Sequence, residues 1–162
     1  MADHTPEELK DKFWSTLTSQ QTVMLGLPGQ AAGRPMTAMN DDDQTPGPLY
    51  FFTSSDTDLG EITGPTKAEM VFVSKHHDLF ATAHGSLVPE PSREMIDKLW
   101  NPFVAAWFEG GKDDPKIRLL RLDGAEAEIW LDSNSLVAGA KMLLGSDPKK
   151  DLGGHNATVS ME

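Results

Sequence analysis

A mainly β fold with peripheral helices, built as an antiparallel barrel or sheet, is the class this 162-residue sequence predicts. Two observations predict it. About seven short β-favouring runs succeed one another through tight turns, and the three or four helical patterns among them are too few for repeated parallel crossovers. A third observation sets the scale: with 38% hydrophobic residues the chain supports one core. One domain over residues 1–145, followed by a polar C-terminal extension over 146–162, is the expected organisation.

The elements follow in order. Thr5, Pro6 and Glu8 combine a capping box with proline at the first helical position, and Leu9, Phe13, Trp14 and Leu17 form one apolar stripe behind them. TVMLGL at 22–27 is a buried-strand pattern, PGQAAG at 28–33 a turn, and RPMTAMN at 34–40 its hairpin partner. DDDQTPGP at 41–48 is a solvated turn; three adjacent aspartates in such a loop lack the fixed geometry a metal needs. LYFFT at 49–53 is a strand, and SSDTDLGEI at 54–62 reads as a cap with a short helix. Strands at 67–74 and 79–88 flank a KHHD turn at 75–78. Ser92 caps a helix carrying Met95, Ile96 and Leu99 on one face, Asn101 and Pro102 interrupt it, and a second helical piece covers 102–108. KIRLLRL at 116–122 and AEAEIWL at 125–131 form a hairpin through Asp123 and Gly124, and a helix over 133–145 ends on glycine. The last residues are loop-like, with strand character near the end.

Charge and composition exclude several functions. The formal charge is −11, from 25 acidic and 14 basic residues, and the basic ones do not cluster, which disfavours nucleic acid and anionic membrane surfaces as partners. There is no cysteine, hence no disulfide, thiol nucleophile or thiolate metal site, as suits a reducing cytoplasm. The N-terminus has no apolar signal core, and no run approaches the roughly 18 apolar residues of a membrane span. A soluble cytoplasmic protein is expected. His76 and His77 are adjacent and His84 stands in a strand, a poor spacing for metal ligation, so no metal site is expected. G-x-S-x-G, G-x-G-x-x-G and Walker patterns are all missing.

Taken in order, FWSTLTSQQ at 13–21, RPMT at 34–37, FFTS at 51–54, LWNPFVAAWF at 99–108 and EAEIW at 126–130 resemble the general stress protein branch of the pyridoxamine 5'-phosphate oxidase family. The likeness spans roughly residues 9–131. It implies a split β-barrel, a homodimer, and FMN held at the dimer interface. By position it implies cofactor contacts from Arg34, Pro35, Met36 and Thr37 on one strand and from Phe52, Thr53 and Ser54 on the next. Trp130 matches a tryptophan that reaches the flavin from the partner subunit, and Trp107 is placed nearby. This mix suits a flavin, which needs an apolar or aromatic wall for its rings, donors aimed at its ring carbonyls and ribityl chain, and a cation or N–H nest for its phosphate.

The sequence departs from the oxidases at one point. Where they carry consecutive arginine and lysine for the phosphate, this chain has Asp58 and Leu59, leaving a helix opening near Ser55 or Thr57 to supply N–H groups. Weak FMN binding, or binding of another flavin, is the expectation. The basic residues that would grip pyridoxal phosphate have no counterpart, so pyridoxamine 5'-phosphate oxidase activity is not expected. A flavin-dependent oxidoreductase, a flavin-binding or sequestering stress protein without turnover, and a scaffold that has lost its cofactor all remain open. No residue stands out as a general acid or base, so catalytic residues are not assigned.

Overall fold

The structure, a computed structural model, describes residues 4–132 and 156–161. Its first helix, α1 (Pro6–Gln20), starts as the capping pattern predicts: Thr5 is extended, and its Oγ1 accepts from the Glu8 N–H at 3.1 Å. Leu9, Phe13, Trp14 and Leu17 are all buried, and Phe13 meets Phe72 edge to face at 6.3 Å. Burial of these four side chains contributes on the order of 1.5–3 kcal/mol each, which fixes α1 against the sheet.

The strands are β1 (Thr22–Leu27), β2 (Ala31–Thr37), β3 (Met39–Asn40), β4 (Leu49–Ser54), β5 (Thr66–Val73), β6 (Leu79–Pro89), β7 (Ile117–Leu131) and β8 (Asn156–Ser160). All pairings are antiparallel, in the order β2-β1-β5-β6-β7-β4-β3, with β8 added to β7. β2 and β3 are nearly one strand, broken at buried Ala38, whose N–H bonds to Gln21 O at 2.8 Å. Because β2 pairs with β1 and β3 with β4, the two ends of the sheet meet and the sheet curls into a barrel. The main core fills that barrel with Leu25, Phe51, Met70, Phe72, Leu120, Leu122 and Ile129, and α1 packs on it.

Helices α2 (Arg93–Leu99) and α3 (Pro102–Ala105) cover the outside of β4 and β7. Ser92 Oγ accepts from Met95 N–H, and Asn101 Oδ1 accepts from Val104 N–H, so each helix has its own N-cap. A second, smaller core lies beneath them: Tyr50, Leu99, Val104, Phe108, Ile117 and Leu119, with Phe52 and Trp100 packed against it.

Three expectations are corrected. Residues 116–131 are not a hairpin; β7 is one strand, paired with β6 along most of its length, with β4 through its first half and with β8 through its second. The Asp-Gly signal marks a bulge, where Gly124 and Ala125 oppose the single Gly85 and Gly124 takes φ +60. The helix read over 54–62 is a single 3-10 turn, Leu59–Glu61. The turn after β1 is also shorter than expected, because β2 begins at Ala31. The helix over 133–145 and the first part of the polar extension lie outside the described residues. Residues 156–160 form β8, and Met161 after it is 2% exposed in the main core.

Candidate functional site

The barrel is split where β2 leaves β4. The β3–β4 ladder consists of Met39↔Tyr50 and Asn40↔Leu49. Carrying that register on would set Thr37 opposite Phe52 and Met36 opposite Thr53. Instead β2 turns away to pair with β1, with Val23↔Met36 and Leu25↔Arg34, while staying close to β4. The stretches 34–37 and 51–54 are therefore the two lips of one split.

Side-chain alternation decides what each lip offers. Arg34 and Met36 are register partners of buried Leu25 and Val23, so they leave β2 on the barrel-facing side. Met36 packs against the main core and Arg34, two residues on, is exposed. Pro35 and Thr37 alternate to the other side and are exposed on this edge strand. On β4, Phe51 is in the main core and Thr53, 7% exposed, shares its face. Phe52 points the other way, packing edge to face on Trp100 at 6.1 Å in the second core. The expected aromatic and hydroxyl pair is thus divided between two faces, and at the split Phe52 can serve only through its backbone. Ser54 lies on the Phe52 side. A hydrogen bond to Ser54, with Lys116 nearby, holds the Asp56 carboxyl below the usual carboxylate range.

Thr53 is polarised by its surroundings. Its Oγ1 lies 2.8 Å from Thr57 Oγ1. Thr57 donates its own proton to Ser54 O at 2.8 Å and accepts from Gly60 N–H at 3.1 Å. The bond between the two hydroxyls must therefore be donated by Thr53, which leaves only lone pairs facing the split. Gly60 permits this fold-back: a Cβ there would lie 1.9 Å from Ser54 O. Leu59 points into the main core at 1% exposure. Residues 58–59 thus close the end of the barrel, and the one-turn helix offers no N–H array of the kind expected near Ser55 or Thr57.

The two tryptophans stand apart from the lips within one chain. Trp107 follows α3 and is 84% exposed, as is Phe103 one turn earlier. Trp130 lies on the outer face of the sheet, paired with Phe80, which is itself paired with Val73. Neither tryptophan has a ring contact or hydrogen bond to residues 34–37 or 51–54 among the described residues.

Sequence reasoning placed Thr57 only near a helix start, not its hydroxyl beside Thr53, and did not single out Arg118. Arg118 is the direct cross-strand partner of Thr53, one rung beyond Phe51↔Leu120, and so belongs to the barrel-facing side. Its position in KIRLLRL carries no sign of this, because the register between β4 and β7 is not local. Open depressions of about 380 and 280 Å³ lie elsewhere, between the C-terminal half of α1 and the β5–β6 turn. Ser15, Thr16 and Ser19 beside them donate to carbonyls of their own helix and present only lone pairs. His84, on the outer sheet face, pairs with Glu69 at 2.8 Å. Among the described residues no helix is long and apolar enough to cross a membrane.

A split antiparallel barrel is the fold of the proteins this chain resembles. The model of the family "Pyridoxamine 5'-phosphate oxidase like" matches residues 8–150. The chain belongs to that family. A general stress family protein of Xanthomonas campestris pv. campestris is 52% identical, with 82% of this chain and 93% of that one covered and a TM-score of 0.74. The general stress FMN/FAD binding protein of Xanthomonas citri is 50% identical, with 80% and 93% covered and a TM-score of 0.72. A general stress protein 26 of Jannaschia sp. CCS1 is 32% identical, with 96% and 99% covered and a TM-score of 0.77. No curated protein matches. At 58–59, where the resemblance implied a basic pair, the chain has Asp58 and Leu59, and Leu59 is buried in the main core.

Proposed function

We propose that this chain binds FMN in the split between β2 and β4, as a homodimer whose second subunit completes the site. One observation carries the reading: the barrel opens between the two lips that bear Arg34 and Thr53, with both side chains on the barrel-facing side. The groups present fit a flavin. Thr53 offers an acceptor for a ring N–H, and Arg34 a cationic donor for ring or ribityl oxygens. The protein of Xanthomonas citri described as FMN/FAD binding, at 50% identity, supports the same ligand class.

The partner is argued from apolar surface. Met24 and Val73 are each 43% exposed and Phe80 37% exposed, and Phe80 pairs with half-buried Trp130 to make a row across the outer sheet. Phe103 and Trp107, each 84% exposed, add further exposed apolar surface, and such surface marks an interaction face. In the proposed homodimer a second copy covers this row, and Trp130 is the residue it would carry toward the neighbouring split. A cysteine-free chain of this kind fits the reducing cytoplasm.

Bound FMN supplies one- and two-electron transfer, and the protein's part is to hold and orient it. The lips carry a guanidinium and hydroxyls but no group that titrates near neutral pH, which favours a second reading, flavin binding without turnover. Titration of the purified protein with FMN, followed by anaerobic addition of reduced nicotinamide, tests both. Saturable uptake of one flavin per chain is expected. Bleaching with catalytic reoxidation selects the oxidoreductase, and bound flavin that stays oxidised selects the carrier.

A further inference from the structure

We infer that Arg118 is the cation that holds the flavin phosphate, in place of the basic pair missing at 58–59; this rests on the FMN reading above. The chain has four arginines in a protein of net charge −11. Two are neutralised: Arg93 by Asp97 and Asp113, and Arg121 by Glu90 and Asp123. Arg34 and Arg118 have no carboxylate within 4.0 Å among the described residues. Both leave their strands on the barrel-facing side, and they flank the same opening, one on the β2 lip and one on the rung of Thr53.

The other cations nearby are accounted for. Lys116 lies 3.9 Å from Asp56. Lys67 alternates with buried Ala68 and Met70, so it leaves β5 on the outer face, away from the opening. Arg118 is also held in place: Nη1 donates to Pro115 O at 2.9 Å and to Ile117 O at 2.8 Å. That anchorage uses one nitrogen and leaves Nε and Nη2 to form the fork that suits a phosphate. Thr53 cannot share the role, because its proton is committed to Thr57. Ring recognition and phosphate recognition therefore fall to different residues, Thr53 with Arg34 and Arg118 respectively.

FMN and riboflavin differ only in the phosphate, so their affinity ratio isolates this contact. Fluorescence titrations with both ligands are made on the wild type, Arg118→Gln, Arg118→Lys and Thr53→Val. We expect the wild type to prefer FMN, and Arg118→Gln to lose roughly ten- to hundredfold of FMN affinity with riboflavin affinity unchanged. Arg118→Lys should restore part of the loss, and Thr53→Val should weaken both ligands alike. Retained riboflavin binding in Arg118→Gln shows the site intact, so a folding defect cannot mimic the result. An unchanged FMN to riboflavin ratio in Arg118→Gln, or a wild type with no preference for FMN, overturns the assignment and leaves flavin binding standing. A wild type that binds neither ligand overturns both.

Discussion

Hydrogen-bond direction gives Thr53 a role that its identity alone does not. The Ser54–Thr57–Gly60 chain fixes the Thr53 proton, so Thr57→Val should free that proton and leave Gly60 N–H without its partner. Thr57→Ser keeps the relay, and flavin affinity measured by fluorescence should fall only in the valine variant. A second residue-scale case is Asp41, 3% exposed, which Lys98 Nζ contacts at 2.7 Å while Asp43 shares the same ammonium. The hydrogen bond from Lys98 holds the Asp41 carboxyl below its usual range. With the folded value depressed, the stabilisation is complete above the unfolded carboxylate range near pH 4 and is lost as pH falls through the folded value. Lys98→Met should therefore lower the thermal midpoint by about 3 °C or more at pH 7. The gap to wild type should close below the folded value, as calorimetry across pH would show. RPMT at 34–37 and FFTS at 51–54 were legible as motifs; that Arg118 and Thr57 lie beside Thr53 was not, since one depends on strand register and the other on a turn folding back.

At the scale of the element, β7 shows how a correct local signal leads to a wrong connection. Asp123-Gly124 does require a positive φ, and Gly124 has one, but a bulge uses it as well as a hairpin turn does. A clue was present in the spacing: Leu120 and Leu122 face the core, then Ala125 and Ala127, an odd step inside an even alternation. That slip marks one extra residue in a continuing strand. Gly124→Ala should cost about 1 kcal/mol through its left-handed backbone. Gly60→Ala should cost more, because its methyl would collide with Ser54 O and push the end of β4 out of place. Urea denaturation of the two variants should rank them in that order. α1 was legible almost to the residue because cap, proline and stripe all agree, and Phe13→Ala, at full burial and against Phe72, should cost roughly 3–5 kcal/mol.

For the molecule as a whole, the sequence pattern could show an antiparallel barrel but not where it opens. The opening comes from the break at Ala38, which passes one strand from β4 to β1, and from Leu59 sealing the end beside it. If the proposed dimer covers the Val73–Phe80–Trp130 row, Phe80→Glu should shift the mass by light scattering toward the monomer and weaken flavin uptake with it. The most direct test of the central claim is FMN titration of the wild type beside the Arg34→Ala, Thr53→Ala double variant. One flavin per chain in the wild type, sharply weakened in a variant whose circular dichroism is unchanged, is the predicted result. Equal uptake by both proteins would contradict it.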